Sequence, residues 1–405
     1  MSNLDHAVWW HVYPLGACGA PLHPDGPDPA PRLRLLENWL DYVIELGCSG
    51  LLLGPIFSSA SHGYDTLDHF RIDPRLGEDA DFDRLIEQCR RRGLSVILDG
   101  VFNHVSVGHP LVEDAVRHGA GLVKLADGPH GRRPVGWEGH DDLAELDHAN
   151  PAVADFVVSV MLHWLARGAS GWRLDVAYAV PTQFWAGVID RVREQYSQAI
   201  FLGEVIHGDY PAIVAESHFD TVTQYELWKA TWSSISDRNL WELAWALERH
   251  DQFAARFVPQ TFVGNHDVDR IASLVGDDGA ALAAVVLSTL PGVPSIYYGD
   301  EQGFRGTKGS GWGADDPLRP ALPDTPSQLA GEGWWLYRLH QELIGLRRRN
   351  AWLAHGSVDV IDKTNTSIDY TVSGDGHQIA VRLLLDPRAE ASIRVDGEPA
   401  WQWPR

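Results

Sequence analysis

Short apolar runs rich in β-branched residues alternate along most of the chain with longer segments whose apolar positions recur every three or four residues. The first pattern is that of buried strands and the second that of amphipathic helices. Strands are predicted over Val8–Tyr13, Gly50–Pro55, Leu94–Val101, Gly171–Val176, Ile200–Val205, Thr221–Tyr225, Gln260–Gly264 and Ser295–Gly299. Helices fall between them, over Pro31–Leu46, Asp81–Arg92, Pro151–Arg167, Pro181–Tyr196, Asn239–Arg256 and Gly279–Leu290. Several open on the Pro or Asp that favours a helix start. Eight such strands with helices between them predict an α/β fold, a (β/α)₈ barrel of the TIM type.

Two stretches break the alternation. Residues 105–150, after the third strand, are rich in Gly, His and charge and lack regular periodicity, so a small inserted subdomain over the barrel mouth is expected there. After a helix at Trp334–Arg349 the pattern becomes alternating, as in Ser367–Val372 and Gln378–Leu384, with Gly, Asp and Pro turns between. Residues 351–405 are therefore expected to form a short antiparallel β domain, leaving residues 1–104 and 151–350 for the barrel.

Composition narrows the class of ligand. A formal net charge of −22 over 405 residues opposes a phosphate-backbone partner, which Lys and Arg would have to hold. Neither a nucleic acid nor a membrane is an expected partner, since no apolar run approaches the roughly 18 residues that span a bilayer. Seventeen tryptophans suit a neutral sugar, whose apolar faces pack on indoles, although most must fill the core. Cys18, Cys48 and Cys89 are too scattered for a disulfide framework or a metal knuckle. The segment Met1–His11 has no export pattern, and a cytoplasmic location is expected.

Active sites of such barrels lie at the C-terminal ends of the strands. Here those ends are polar: Asp99, Asn103 and His104 follow strand three, Arg173 and Asp175 end strand four, Glu204 ends strand five, and Asn265, His266 and Asp267 end strand seven. A single such residue is more often a satisfied rim group, but several converging acids and histidines suit glycoside cleavage. That reaction needs a carboxylate on one face of the sugar and a carboxylic acid beside the leaving oxygen. Asp175 and Glu204 end neighbouring strands, which favours the short carboxyl separation of about 5 Å in retaining enzymes. Arg173, two residues before Asp175, points to the same face, where its charge is expected to keep that aspartate ionised.

These segments, in this order, resemble the conserved regions of the α-amylase superfamily, closest in motif to cyclomaltodextrinases, neopullulanases and α-glucosidase-like members. His62-Gly-Tyr64-Asp65, Leu143-Ala-Glu-Leu-Asp147 and Pro294-Ser-Ile-Tyr-Tyr-Gly-Asp-Glu301 extend the likeness. The resemblance implies Asp175 as nucleophile, Glu204 as general acid/base and Asp267 as a third carboxylate that holds sugar hydroxyls. It further implies that Tyr64, Asp65, His104, Arg173, His266, Asp316 and Arg319 contact the sugar, with Asp99 supporting them from behind. The resemblance implies that no cofactor is required. Asn103 and Asp147 are candidate ligands for a structural calcium.

The resemblance implies a retaining α-glycosidase that hydrolyses α-glucosidic bonds in short malto-oligosaccharides or related α-glucosides by double displacement. Asp175-Val-Ala-Tyr178 lacks the Lys-His pair that starch-degrading relatives carry after the nucleophile. The chain also lacks the N-terminal dimerisation domain of cyclomaltodextrinases, so oligomeric state is left open. One alternative is glucosyl transfer or phosphorolysis on sucrose, maltose or trehalose-like disaccharides, because only the acceptor differs. Another, from a different class, is a catalytically silent relative that binds a partner. Retention of three carboxylates and Arg173 argues against it.

Overall fold

The computed structural model describes residues 4–23, 26, 28–128 and 131–404. Eight parallel strands run β1 Trp9–Val12, β2 Gly50–Leu53, β3 Ser95–Gly100, β4 Gly171–Leu174, β5 Ile200–Gly203, β6 Thr221–Val222, β7 Gln260–Phe262 and β8 Val293–Tyr297. They pair in the order β6-β5-β4-β3-β2-β1-β8-β7. A parallel bridge between Thr223 and Gln260 brings the two edges of this sheet together into a barrel.

Because side chains alternate along a strand, every second residue enters the barrel. Trp9, Leu52, Ile97, Ile200 and Val293 form a buried apolar layer distinct from the main core. Trp9 fits there because its strand neighbour is Gly50, where a Cβ would lie 2.7 Å from the indole and 2.3 Å from the Ser95 carbonyl oxygen. One layer further along, the interior turns polar with His11, Asp99 and Arg173, all buried. The outward positions, among them Trp10, Leu98, Trp172 and Leu174, pack beneath the helices. Both faces of these strands are therefore covered, which is why the sequence shows them as apolar runs rather than alternation.

The surrounding helices are α1 Leu40–Leu46, α2 Asp79–Arg91, α3 Pro151–Ala166, α4 Thr182–Arg193, α5 Tyr210–Ser217, α6 Tyr225–Ser236, α7 Leu240–Ala254, α8 Ile271–Thr289 and α9 Trp334–Arg349. Their starts are chemically marked. Glu78 and Asp81 make a reciprocal capping box on α2, and Asn150 accepts the Ala152 N–H ahead of Pro151 on α3. By length and composition α8 is apolar enough to cross a membrane, yet most of it is buried inside the fold. Gly276 interrupts it at φ +71.

Helices α5 and α6 were not expected. The strand expected to run to Tyr225 stops at Val222, since Gln224 caps α6 through Leu227 N–H and Tyr225 already lies in the helix. Between β3 and α3 the chain forms a helix at Pro110–His118, a hairpin of Leu125–Gly128 with Gly131–Pro134, and a short pairing of His104–Ser106 with Leu143–Glu145. Five antiparallel strands follow α9: β9 Ser357–Lys363, β10 Ser367–Gly374, β11 His377–Leu384, β12 Glu390–Val395 and β13 Glu398–Trp403. Their buried face, including Ile368, Tyr370, Val381 and Ile393, joins the main core, and Tyr370 Oη lies 2.7 Å from Thr289 Oγ1 on α8.

Candidate active site

At the C-terminal mouth of the barrel one guanidinium serves three carboxylates. Arg173 Nη1 donates to Asp99 and to Asp175 Oδ1, each at 2.8 Å, and Nη2 lies 2.7 Å from Glu204 Oε1. All four side chains are buried. Sharing a single planar fork brings Asp175 and Glu204 onto one guanidinium, an arrangement that suits the close carboxyl pair of a retaining enzyme. Glu204 has further donors in the Val176 backbone N–H at 3.0 Å and Tyr225 Oη at 3.2 Å. Tyr225 in turn accepts from Asn265 Nδ2 at 2.9 Å.

Asp175 does not behave as the sequence suggests. Burial pushes its pKa well above the ordinary aspartate value; Arg173 opposes this, and Glu204, Asp99 and Asp267 add to it. Burial is the main cause, and the relief from Arg173 is divided, since the same cation neutralises Asp99 and Glu204 as well. Asp267 goes the other way. Desolvation raises it, but His266, Arg319 and Arg173 together outweigh that and hold its carboxyl below the usual range. Its Oδ2 lies 3.0 Å from His266 Nε2 and its Oδ1 accepts from Arg319 Nη2 at 3.1 Å.

A cavity of about 540 Å³ opens above these groups, lined by Asp175, Glu204, Asp267, Tyr64, His104 and Arg319. Trp137, Glu138, His140 and Asp142 of the inserted segment form one wall, and residues 311–316 after β8 form another. Tyr64 is parallel to His266, ring centroids 5.3 Å apart, and its hydroxyl donates to Asp99 at 2.9 Å. Tyr13 is also near-parallel to this histidine, with ring centroids 5.8 Å apart. His104 is held by the Tyr64 carbonyl at 3.0 Å, and burial depresses its pKa to about 4, so it is a neutral hydrogen-bonding group.

Some expected positions fall elsewhere. Asp65 does not reach the cavity wall; it is buried and its Oδ2 accepts from Ser61 Oγ at 2.5 Å, so the turn after the second strand faces its tyrosine rather than its aspartate to the site. His266 stands behind Tyr64 and is almost wholly buried, in a small inner hollow shared with His11, Tyr225 and Asn265. Asp316 reaches the cavity rim, where it meets His23 Nε2 at 3.2 Å. Asn265 was among the polar strand ends but had no role assigned to it, and Tyr225 and the Val176 amide escaped the sequence reading. A polar residue ending strand six was the available signal for Tyr225, but a backbone N–H leaves none.

The calcium expectation has one supporting atom, the buried Asn103 Oδ1, which has no partner. Asp147 Oδ1 instead accepts the Ala149 N–H at 3.3 Å. Among the described residues no three His, Cys, Asp or Glu side chains converge as metal ligands. Calcium takes six to eight oxygens, so a site here would have to draw on amide and backbone carbonyls beside Asn103.

Comparison with known proteins agrees with this geometry. The α-amylase catalytic-domain model matches residues 33–127 and 137–333, a span that includes every residue around Arg173 and Asp267 named above except His11, His23 and Tyr13. A cyclomaltodextrinase of Geobacillus thermopakistaniensis is 29% identical over 97% of this chain, and neopullulanase 2 of Thermoactinomyces vulgaris is 32% identical over 80%. The chain spans 71% of the length of the first and 57% of the second. Among solved structures, the cyclic α-maltosyl-(1→6)-maltose hydrolase of Arthrobacter globiformis, in complex with that sugar, superposes with a TM-score of 0.81 at 25% identity, covering 94% of this chain and 91% of its own. The family match extends over most of the barrel and takes in the whole carboxylate cluster, and the chain belongs to the α-amylase catalytic-domain family of glycoside hydrolases.

Proposed function

We propose that this protein hydrolyses α-glucosidic bonds in short malto-oligosaccharides, with retention of configuration, and that it does so in the cytoplasm. Asp175 attacks the anomeric carbon while Glu204 passes its proton to the departing oxygen, giving a glycosyl ester on Asp175. Glu204 then takes a proton from water, which attacks the same carbon and restores the α configuration. Arg173 holds both carboxyls on one fork and fixes their relative position through both steps. Asp267, kept ionised by His266 and Arg319, accepts from the sugar's ring hydroxyls and favours its distortion toward the oxocarbenium-like transition state. Tyr64 supplies the stacking face beneath that ring.

The observation that carries this reading is the shared guanidinium, which couples two acids from adjacent strands. The short-substrate half draws support from the size of the cavity and from its two loop walls. Product analysis with maltose, maltotriose, sucrose and cyclodextrins, with and without phosphate, tests it. Glucose and maltose released from maltotriose by water support hydrolysis. Phosphate-dependent release of a glucosyl phosphate from sucrose or maltose replaces it with phosphorolysis.

A further inference from the structure

The segment after β8 contains a feature that the catalytic cluster does not use. Residues 309–314 form a loop closed at its base by Gly309 N–H donating to the Ala314 carbonyl at 2.7 Å. Trp312 stands at its tip between Gly311 at φ +75 and Gly313 at φ +74, two left-handed positions that glycine adopts without strain. Its indole lines the cavity and is nevertheless 70% exposed. A large apolar ring left open at a cavity mouth is a contact surface waiting for a ligand. Among the described residues the His23 ring packs on it at 4.6 Å, and His23 Nε2 lies 3.2 Å from Asp316 Oδ2.

The base of this loop is tied to the reaction centre. Lys308 Nζ meets Asp315 at 2.8 Å, Asp315 accepts from Arg319 at 3.3 Å, and Arg319 donates to Asp267 at 3.1 Å. Direction follows from the roles assigned above. Glu204 protonates the leaving oxygen, so the leaving group departs on its side, past Val176. Sugar attached to the non-reducing end of the reacting ring extends the other way, past Asp267 and Arg319 toward the loop.

We propose that Trp312, backed by His23, caps this arm of the cavity and stacks on the sugar ring next beyond the reacting one, making it a specificity-determining residue for chain length. The proposal rests on the α-glucoside reading. An exposed indole at the rim of a cavity that holds the reacting ring suits a second pyranose, whose apolar face packs on the aromatic ring. The flanking glycines let the tip adjust to the ring it covers, while the closed base keeps it in register with Asp267.

The test compares W312A and W312F with the parent protein on p-nitrophenyl α-glucoside, which fills only the reacting position, and on p-nitrophenyl α-maltoside, which also fills the next. Circular dichroism checks that both variants fold. W312A is expected to lose kcat/KM on the maltoside about tenfold more than on the glucoside, the size of one ring contact, mainly through KM. W312F should recover part of that difference. Equal losses on the two substrates, or no loss on either, overturn the proposal for Trp312 and leave the α-glucoside reading standing. A parent protein that neither cleaves nor binds either glycoside overturns both.

Discussion

The backbone N–H of Val176 donates to Glu204 Oε2 at 3.0 Å, and it reaches that oxygen because Val176 adopts left-handed backbone at φ +48. A β-branched residue in that conformation costs about 1–2 kcal/mol. Strain of this kind persists where the surroundings impose it, and here it follows immediately on Asp175 and fixes the orientation of the neighbouring acid. Val176→Gly should therefore leave the melting temperature unchanged or raised, the relief of strain offsetting the added freedom of glycine, while kcat falls as Glu204 loosens. A fall of several degrees in melting temperature contradicts the strain.

Burial of Asp175 beside more acids than cations should be visible as instability. Its folded pKa lies well above the unfolded value, so the folded state is penalised once the pH exceeds about 3.9, where the unfolded carboxyl ionises. The penalty grows as pH rises toward the folded pKa. Asp175→Asn removes the titration and should raise the melting temperature near pH 8 by about 2 °C or more, with the difference shrinking toward pH 4. A variant that melts lower than the parent at pH 8 refutes this electrostatic account.

Glu204→Gln keeps the shape of the side chain and removes its proton. Its kcat should drop by about a thousandfold or more on a poor leaving group, with little change in folding. Proton NMR of the sugar first released by the parent enzyme should show the α anomer; initial appearance of the β anomer would contradict double displacement.

Chain-length preference and metal dependence can be read in one series. Relative to soluble starch, maltotriose should give the higher kcat/KM, because the cavity is walled by the Trp137 and Trp312 loops. Activity should survive EDTA, since none of the steps assigned to Asp175, Glu204 and Asp267 uses a metal. Starch preference would remove the short-substrate reading, and loss of activity in EDTA without unfolding would remove the metal prediction.

The strand-helix alternation was legible because each barrel strand is covered on both faces and reads as an apolar run closed by a polar residue, as in Gly171–Asp175. The carboxylate cluster was legible for the same reason, since a charge ending such a run stands out. What the sequence hid is of another kind. Helix α6 begins within two or three residues of a two-residue strand, too close for periodicity to divide them. Asp65 and His266 lie in recognisable motifs, yet only the packing of the Tyr13, His266 and Tyr64 rings decides which of these residues faces the cavity. The effect of Arg173 on Asp175 depends on how many other acids share it, and two-residue spacing carries no information about Asp99 or Glu204.

The most direct measurement is trapping of the glycosyl ester. Incubation with 5-fluoro-α-glucosyl fluoride, which forms the covalent intermediate faster than water removes it, followed by proteolysis and mass spectrometry, should place one fluoroglucosyl group on the peptide containing Gly171–Tyr178, at Asp175. An adduct on Glu204 or Asp267, or steady turnover of the reagent with no adduct and an inverted product, would contradict the assignment of Asp175 and Glu204 on which the account depends.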